Sequence, residues 1–582
     1  MRKITNEDIL YILAFLLALG VRLINLGDAA LSETEAGLAL QAFDLARGDL
    51  IMPAPQPGYL ALTSMLFSLF GSSEAAARFW PALAGGLLVI APFAFKRVLG
   101  RKSALILAFG LALDPGLVAL SRQADGRMLA IGFSVLALAL VYDRKPAAAG
   151  IFTGLALLSG PSIWFGLLGM GIAWGAARLV GISLGVRLFD DDQTTMEPAS
   201  GSLGVLQTWI IFTFGTLLII GTRFFTFPSG LGAWASSIST FVRDWAQPSG
   251  IPVARLIIAI LVYQPLALIF AVVAVVRDWH YRKNLLLSLG IWALAALVLP
   301  LAFSGRQVGD VAWALVPLWV LGAVGLLDYF DEDAKNLVSL GQAAALFVLL
   351  SLVWLTLAGL HLTVVDAIRL RLLVVLGIFV LAVLTTALVS LGWNWMIARN
   401  GAVLGVSAAL VGYGISVMLG LSQVHANNPA ELWGVPPRTG QADLVAGTLR
   451  DLSLTHTGDV HAVDIVSLID SPALRWILRY YPNAEFVASY DSDNIPAVVI
   501  APMGSENQAW SAAYRGQDFS WWLYPGWEGI LPEAWVDWLV FRKAPVQSEH
   551  ILIWARSDLF PDDGVPEDES TGSIEEIIDI EK

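Results

Sequence analysis

The stretch Leu31–Gly48, LSETEAGLALQAFDLARG, decides how this chain is read. It follows an apolar run, Ile9–Leu26, and precedes a Pro-rich segment, Met52–Gly58. Ala36, Ala39, Leu40, Ala42, Phe43 and Ala46 recur at helical spacing and make one apolar face. An amphipathic helix this short, beside an apolar span, is expected to lie along a bilayer surface. Glu33 and Glu35 stand at its start, at the membrane–water boundary. Ser32-Glu33-Thr34-Glu35 is also an S-x-x-E capping box, in which Glu35 reaches back to the Ser32 amide. Acidic residues in a first turn complement the helix dipole as well. Local sequence therefore leaves two roles open, cap and chemical carboxylate, and the pair can divide them.

Working outward, only 14% of the 582 residues are charged and the mean hydropathy is +0.69. That balance fits a polytopic membrane protein and excludes a large soluble one. Met1-Arg2-Lys3 ahead of Ile9–Leu26 reads as a signal anchor that is retained. Tyr59–Phe70 is too short to cross and reads as a second surface or re-entrant helix. Further spans are expected at about 79–95, 103–120, 128–142, 147–160, 162–178, 206–222, 254–276, 284–303, 311–327, 336–358, 370–392 and 401–421, roughly 13 with the first. Ser159-Gly160-Pro161-Ser162 leaves 147–178 as either two helices or one broken one. There is no cysteine, hence no disulfide framework and no thiolate metal site. The six histidines show no ligand spacing, so no zinc site is expected.

Lysine sets the expected orientation. Lys3, Lys96, Lys102, Lys145, Lys283 and Lys335 all fall on one face of this topology, which the positive-inside rule makes cytoplasmic. The N-terminus is then cytoplasmic, and Leu31–Gly48 and the C-terminal domain are extracytoplasmic. Arginine is distributed differently: Arg122, Arg127, Arg223, Arg243 and Arg306 fall in outer loops. The loop Ser121–Arg127, SRQADGR, holds two of them with Asp125 between. A guanidinium offers a planar fork matched to phosphate, so outer Arg without outer Lys suits a phosphate ligand. Interfacial anchoring, or pairing with Asp125, is the better account of any single one of them, and the phosphate reading rests on several converging. The long outer loop Thr222–Ile251 is aromatic enough for an interface belt or for the cover of a cavity.

The apolar runs stop at about 425. The stretch 426–556 reads as a soluble α/β domain, with helices at Gln441–Leu452 and Pro472–Tyr481. Its strands are expected at Val460–Ser467, Glu485–Ala488, Ala497–Ala501 and His550–Ala555, giving a small open sheet with flanking helices. Trp521-Trp522-Leu523-Tyr524 and Trp527 read as core. Ser557–Lys582 holds ten Asp/Glu and one Lys; this −9 leaves −4 of the net −13 for the rest, and the segment reads as a disordered acidic tail. Nothing points to nucleic acid. The overall expectation is an all-α polytopic domain, 1–425, with a functional loop at 27–78, followed by the α/β domain and the tail.

The order of these features resembles the GT-C glycosyltransferases of the protein-mannosyltransferase and lipid A aminoarabinose transferase type. LSETEAGLALQAFDLARG is similar to that family's acidic loop with its surface helix. Leu69–Val89, LFGSSEAAARFWPALAGGLLV, and Leu113–Phe133, LDPGLVALSRQADGRMLAIGF, resemble its next two segments. TRFFTFPSG, WAQPSGIPVARL and SPALRWILRYYPN resemble the flippase-activity-associated branch more narrowly. The chain departs from the pattern at Thr34, where Thr34-Glu35-Ala36 replaces Asp-Glu-Ala. Gln264 stands near an expected glutamate, and Arg306-Gln307 replaces an acidic–basic pair.

The resemblance implies inverting transfer of a sugar from a polyprenyl-phosphate donor to a lipid, glycan or protein hydroxyl on the outer face of the plasma membrane. Glu35 or Glu33 would be the base, with Glu35 in the position that matches the family's pair. Arg122 and Arg127, with Asp125 between them and Arg223 or Arg306 joining, would hold the lipid phosphate or sugar. These groups are expected to line one cavity. No cofactor is needed for an activated donor; a divalent metal on Glu33 and Glu35 would be a thin site of two carboxylates. The alternative is a non-catalytic polyprenyl-lipid binder or flippase component, which the Thr34 departure favours.

Overall fold

The structure is a computed structural model and describes residues 5–49, 52–180, 201–281, 284–330, 336–362, 365–490, 495–505 and 512–560. Lys3, Lys283, Lys335 and nearly all of the acidic tail lie outside the described residues. Two compact units emerge: Met1–Gly440 with Trp522–Ser548, and Gln441–Trp521 with Glu549–Lys582.

The first unit is helical. In order it comprises α1 Asn6–Leu23, α2 Glu33–Arg47, α3 Pro57–Phe70, α4 Glu74–Leu88, α5 Ala91–Leu99, α6 Arg101–Leu113, α7 Pro115–Ser121, α8 Arg127–Tyr142, α9 Pro146–Leu157 and α10 Ser162–Leu179. It continues with α11 Gly201–Gly221, α12 Ser229–Arg243, α13 Val253–Tyr263, α14 Pro265–Tyr281, α15 Asn284–Ala302, α16 Ala312–Asp328, α17 Leu337–Ala358, α18 Val365–Gly392 and α19 Trp395–Leu419. Eight helices among the described residues are long and apolar enough to cross a bilayer, or up to 10 if each bent pair is one span. The described residues do not confirm the expected figure of about 13. α8 and α9 are helical where spans were predicted but are only 16 and 12 residues long. The stretch 147–178 is two helices, α9 and α10, parted at Gly160, which adopts φ +103°. Only a residue without a Cβ enters that region without strain.

Burial ranks the spans. The segment Val308–Asp328 is 83% buried and forms the centre, whereas Arg369–Gly392 is 6% buried and presents Leu and Val all round, as a lipid-facing helix does. Two spans are broken at a polar residue before proline. α6 and α7 bend by 53° at Asp114, and α13 and α14 bend by 92° at Gln264. Pro115 and Pro265 each lack an N–H and clash with the preceding turn, so the helix stops one residue earlier. The freed polar groups find each other: Asp114 accepts from Leu117 N–H (2.7 Å), Gln264 Nε2 (3.2 Å) and Trp319 Nε1 (2.6 Å). A glutamate at 264 would face the Asp114 carboxylate with like charge, which the amide avoids. Beside this junction lies an apolar cavity of about 330 Å³, lined by Leu105, Phe109, Gln264, Phe270, Trp319 and Leu410 among others.

The chain after α19 does not leave the helical unit at 425. Gln123 Nε2 donates to Trp433 O (2.7 Å), and the Thr439 hydroxyl donates to Leu31 O (2.7 Å). Glu431, 3% exposed, takes the Tyr263 hydroxyl and the Arg542 guanidinium (3.3 Å). Arg542 follows a short helix, α20 Trp535–Phe541, whose Trp538 donates to Ala430 O (2.9 Å). Buried polar contacts of this kind fix 426–440 and 522–548 to the helices, so the compact unit ends at Gly440. A short strand, β1 Arg438–Thr439, pairs antiparallel with Leu523 and Trp522.

The second unit is α/β. Its helices are Ala442–Thr457 and Pro472–Leu478. Strands β2 Ile465–Ser467 and β3 Ala484–Phe486 are parallel, as are β2 and β4 Val498–Pro502. β4 pairs antiparallel with β6, the strand Val546–Arg556. The stretch around Trp521, read as core from its composition, belongs to a strand, β5 Tyr514–Pro525, in which Phe519 and Trp521 point inward on alternate positions.

Candidate functional site

The site lies in the helical unit, at the end where the stretches 24–32, 52–56, 122–126 and 303–310 meet. Glu35 opens it. At the third position of α2 its Oε2 accepts from Ser32 N–H (3.0 Å) and the Ser32 hydroxyl (3.0 Å), the carboxylate half of the predicted box. Arg78 of α4 grips both oxygens, Nε to Oε1 at 2.9 Å and Nη2 to Oε2 at 3.1 Å. Ala124 N–H adds a fifth bond to Oε1 (2.9 Å). Arg78 spends its remaining donors on the carbonyls of Leu26, Ala29 and Ala30. Both side chains are about 5% exposed or less. Burial by itself raises the Glu35 pKa; the Arg78 charge and hydrogen bonds, with help from Arg438, overcome it and hold the carboxyl at about 2. Glu35 thus ties together α2, α4 and the 122–126 connection.

Glu33 is placed differently. At the first position of α2 it is half-buried, and its Oε1 accepts from Trp522 Nε1 at 2.5 Å. The two carboxylates are separated by two helical positions, about 200° around the axis, so they do not converge.

The predicted arginines disperse. Arg122 donates to the carbonyls of Val21, Arg22, Ile24 and Asn25 at 2.7–3.2 Å, closing the C-terminal end of α1. Burial, with Arg78 nearby, lowers its pKa to about 10. Arg223 reaches Leu45 O (2.6 Å) and the Ser68 hydroxyl (3.0 Å). Arg306 donates to Ile251 O (3.2 Å). Arg127 alone of the group lines a polar cavity. Its Nη1 lies 3.5 Å from Asp125 Oδ2, while its N–H bonds Asp125 Oδ1 at 2.9 Å. Burial raises the Asp125 pKa against the pull of Arg127.

That cavity holds about 280 Å³. Gln56, Arg127, Asp244, Gln307 and Asp310 supply its polar lining, and Phe165, Phe241 and Phe303 an aromatic wall. Gly126 makes it: a Cβ there would fall 1.9 Å from Ser159 O, so only glycine lets the 122–126 connection close on the α9–α10 junction and aim Arg127. Gly126 N–H is held by Gln56 Oε1 (2.8 Å), and Asp310 Oδ2 takes Gln307 N–H (2.8 Å). Of the groups expected to share one cavity, Arg127 is on its wall, Glu35 is one hydrogen bond from the neighbouring Ala124, and Glu33 and Arg122 are not among its lining.

Sequence reasoning missed Arg78, Asp244, Asp310, Gln56 and Trp522. Arg78 stands near the start of α4, four residues after Glu74 and just ahead of the apolar run 79–95, an arginine next to the acidic loop in an otherwise apolar stretch. Trp522 lies on strand β5 in a stretch read as core, and Asp244, Asp310 and Gln56 sit at or beside connections. Among the described residues no group of three or more Asp, Glu or His is placed to hold a metal.

In the second unit Ser520 Oγ lies 3.2 Å from His550 Nε2 and His550 Nδ1 lies 3.1 Å from Asp518 Oδ2. The spacing is that of a nucleophilic triad, but the Ser520 N–H is taken by Gln441 Oε1 (2.8 Å) and Asp518 is exposed. It is a cross-strand polar ladder.

No protein-family profile and no curated protein sequence matches the chain. Among solved structures it is similar to ArnT from Cupriavidus metallidurans in the apo state, with TM-score 0.55 and 16% identity, over 94% of this chain and 98% of that one. ArnT bound to undecaprenyl phosphate matches over the same shares, with TM-score 0.53 and 15% identity. The archaeal oligosaccharyltransferase AglB from Archaeoglobus fulgidus aligns only loosely, at TM-score 0.41. The chain shares the fold of ArnT. Neither the protein-mannosyltransferase branch nor the flippase-activity-associated branch is singled out.

Proposed function

We propose that the protein transfers a sugar from a polyprenyl-phosphate donor to an acceptor hydroxyl on the outer face of the membrane. The observation that carries this reading is the polar, aromatic-walled cavity at the loop end of a bundle with the fold of ArnT, a protein seen with undecaprenyl phosphate. The apolar cavity beside the Asp114–Gln264 junction suits an isoprenoid segment of the donor. Arg127, screened by Asp125, is the cation available to the leaving phosphate. Inverting displacement needs a base with hydrogen-bond reach to the acceptor proton. Glu35 makes a poor base, because five donors, two of them from the Arg78 guanidinium, hold its proton affinity far below neutrality. By elimination within the acidic pair we assign the role to Glu33, whose carboxylate is half-buried beside Trp522, and give Glu35 the task of fixing the loop.

The test is transfer of radiolabelled sugar from polyprenyl phosphate by purified protein. Glu33→Gln is expected to lower turnover by roughly 10²–10⁴ with donor binding and unfolding temperature unchanged. Full activity in Glu33→Gln moves the base elsewhere. Saturable donor binding with no turnover in the native protein favours the second reading, a polyprenyl-lipid binding or flippase-associated protein. The saturation of Glu35 is the observation on its side.

A further inference from the structure

The lining of the polar cavity says what kind of sugar it takes. A pyranose has an apolar C–H face and a rim of hydroxyls. Phe241 and Phe303 stack at 20° with centroids 6.0 Å apart, and Phe165 meets Phe303 edge-on at 5.5 Å, a preassembled surface for such a C–H face. Asp244, Asp310, Gln56 and Gln307 offer acceptors and amides to the rim.

The charge is unbalanced. Two carboxylates, Asp244 and Asp310, and one cation, Arg127, line the cavity. Arg127 is already matched by Asp125 behind it. Neither Asp244 nor Asp310 has a cation within 4 Å among the described residues. Counting Asp125, the group is three carboxylates against one guanidinium, a formal −2. Hydroxyls donate to such carboxylates and an ammonium pairs with them. A further carboxylate would meet like charge in a confined, poorly screened space.

Building on the donor reading above, we propose that this cavity is the sugar subsite and that Asp244 and Asp310 act as a charge filter, admitting uncharged and amino monosaccharides and rejecting uronic acids. Both residues thereby determine specificity.

The experiment uses the full chain in nanodiscs and measures dissociation constants for four probes: a short polyprenyl phosphate without sugar, and the same lipid carrying glucose, glucosamine or glucuronic acid. The glucosyl and glucosaminyl lipids are expected to bind at least about tenfold more tightly than the glucuronyl lipid. Asp244→Asn is expected to shrink that ratio at least about threefold, with binding of the sugar-free lipid unchanged. If Asp244→Asn fails to fold, Asp244→Ser serves, and the discrimination by the native protein is itself a test. Equal or tighter binding of the glucuronyl lipid, or a ratio unmoved by removal of the Asp244 charge, overturns the filter and leaves the donor reading intact. Failure of all four lipids to bind overturns both.

Discussion

Two polar assemblies in the helical unit meet at the 122–126 connection and differ in what their groups have left to give. Around Glu35 every acceptor position of the carboxylate is met, and all five Arg78 contacts go to carbonyls or to the same carboxylate as a fork. Around the cavity, Asp244 and Asp310 face open space with one ligand-side cation already matched. A buried charge that is fully paired holds a structure together; a polar group retained on a cavity wall has hydrogen-bonding capacity for something that enters. Chemistry follows what each group has left to give, not residue type, and the interest moves from Glu35 to the cavity.

The largest expected effect breaks the satisfied side. Arg78→Met leaves Glu35 buried with an uncompensated charge and is expected to cost about 3–5 kcal/mol of unfolding free energy. Replacing both partners by apolar residues should recover much of that loss, since an apolar pair has no charge to desolvate. Asp244→Asn on the cavity side should change stability by less than about 1 kcal/mol. Heat unfolding of the three proteins in one detergent, followed by circular dichroism, checks all of this. A loss at Asp244 as large as that at Arg78 would erase the distinction.

Acid offers a second and smaller effect. The Glu35 pKa falls from 4.5 to about 2 on folding, so its contribution is complete above pH 4.5 and disappears as pH drops toward 2. Up to about 3 kcal/mol should be lost across that window. Glu35→Gln has no carboxyl to protonate, so its unfolding temperature should vary less between pH 5 and pH 3 than that of the native protein. Parallel pH profiles for the two would show that Glu35 is not paired in solution.

What the sequence made legible follows the range of the forces involved. The Ser32–Glu35 box is local, and its carboxylate half forms as expected. The alternation of apolar runs marked nearly every helix of the first unit, because burial in lipid needs continuous apolar residues. Arg78 lies 43 positions beyond Glu35, and no local rule pairs them. The breaks at Asp114-Pro115 and Gln264-Pro265 had a proline signal, but the apolar runs carry on through both and masked it. Asp244 and Asp310 look like ordinary connection acids. What makes them a site is Gly126 closing one connection onto another, a contact that no spacing along the chain reports.

The smallest effect tests the arginines, where the sequence favoured convergence on one phosphate and the geometry separates them. Helix α1 ends with carbonyls that have no partner of their own, and Arg122 donates to four around that end. Its fork is therefore committed before any ligand arrives. Arg122→Met should cost about 1–2 kcal/mol of stability, discounted for partial exposure, while the dissociation constant for a polyprenyl phosphate stays within about twofold. Lysine should not rescue it, because a single ammonium cannot span four carbonyls. Arg127→Met should do the reverse, weakening donor binding about tenfold, as loss of one charge-assisted contact to phosphate does, with a smaller change in stability. Isothermal binding and heat unfolding on the same two preparations separate the cases. If Arg122→Met weakens donor binding as much as Arg127→Met, Arg122 must leave α1 to reach the phosphate, and the loop end of the bundle rearranges when the lipid binds.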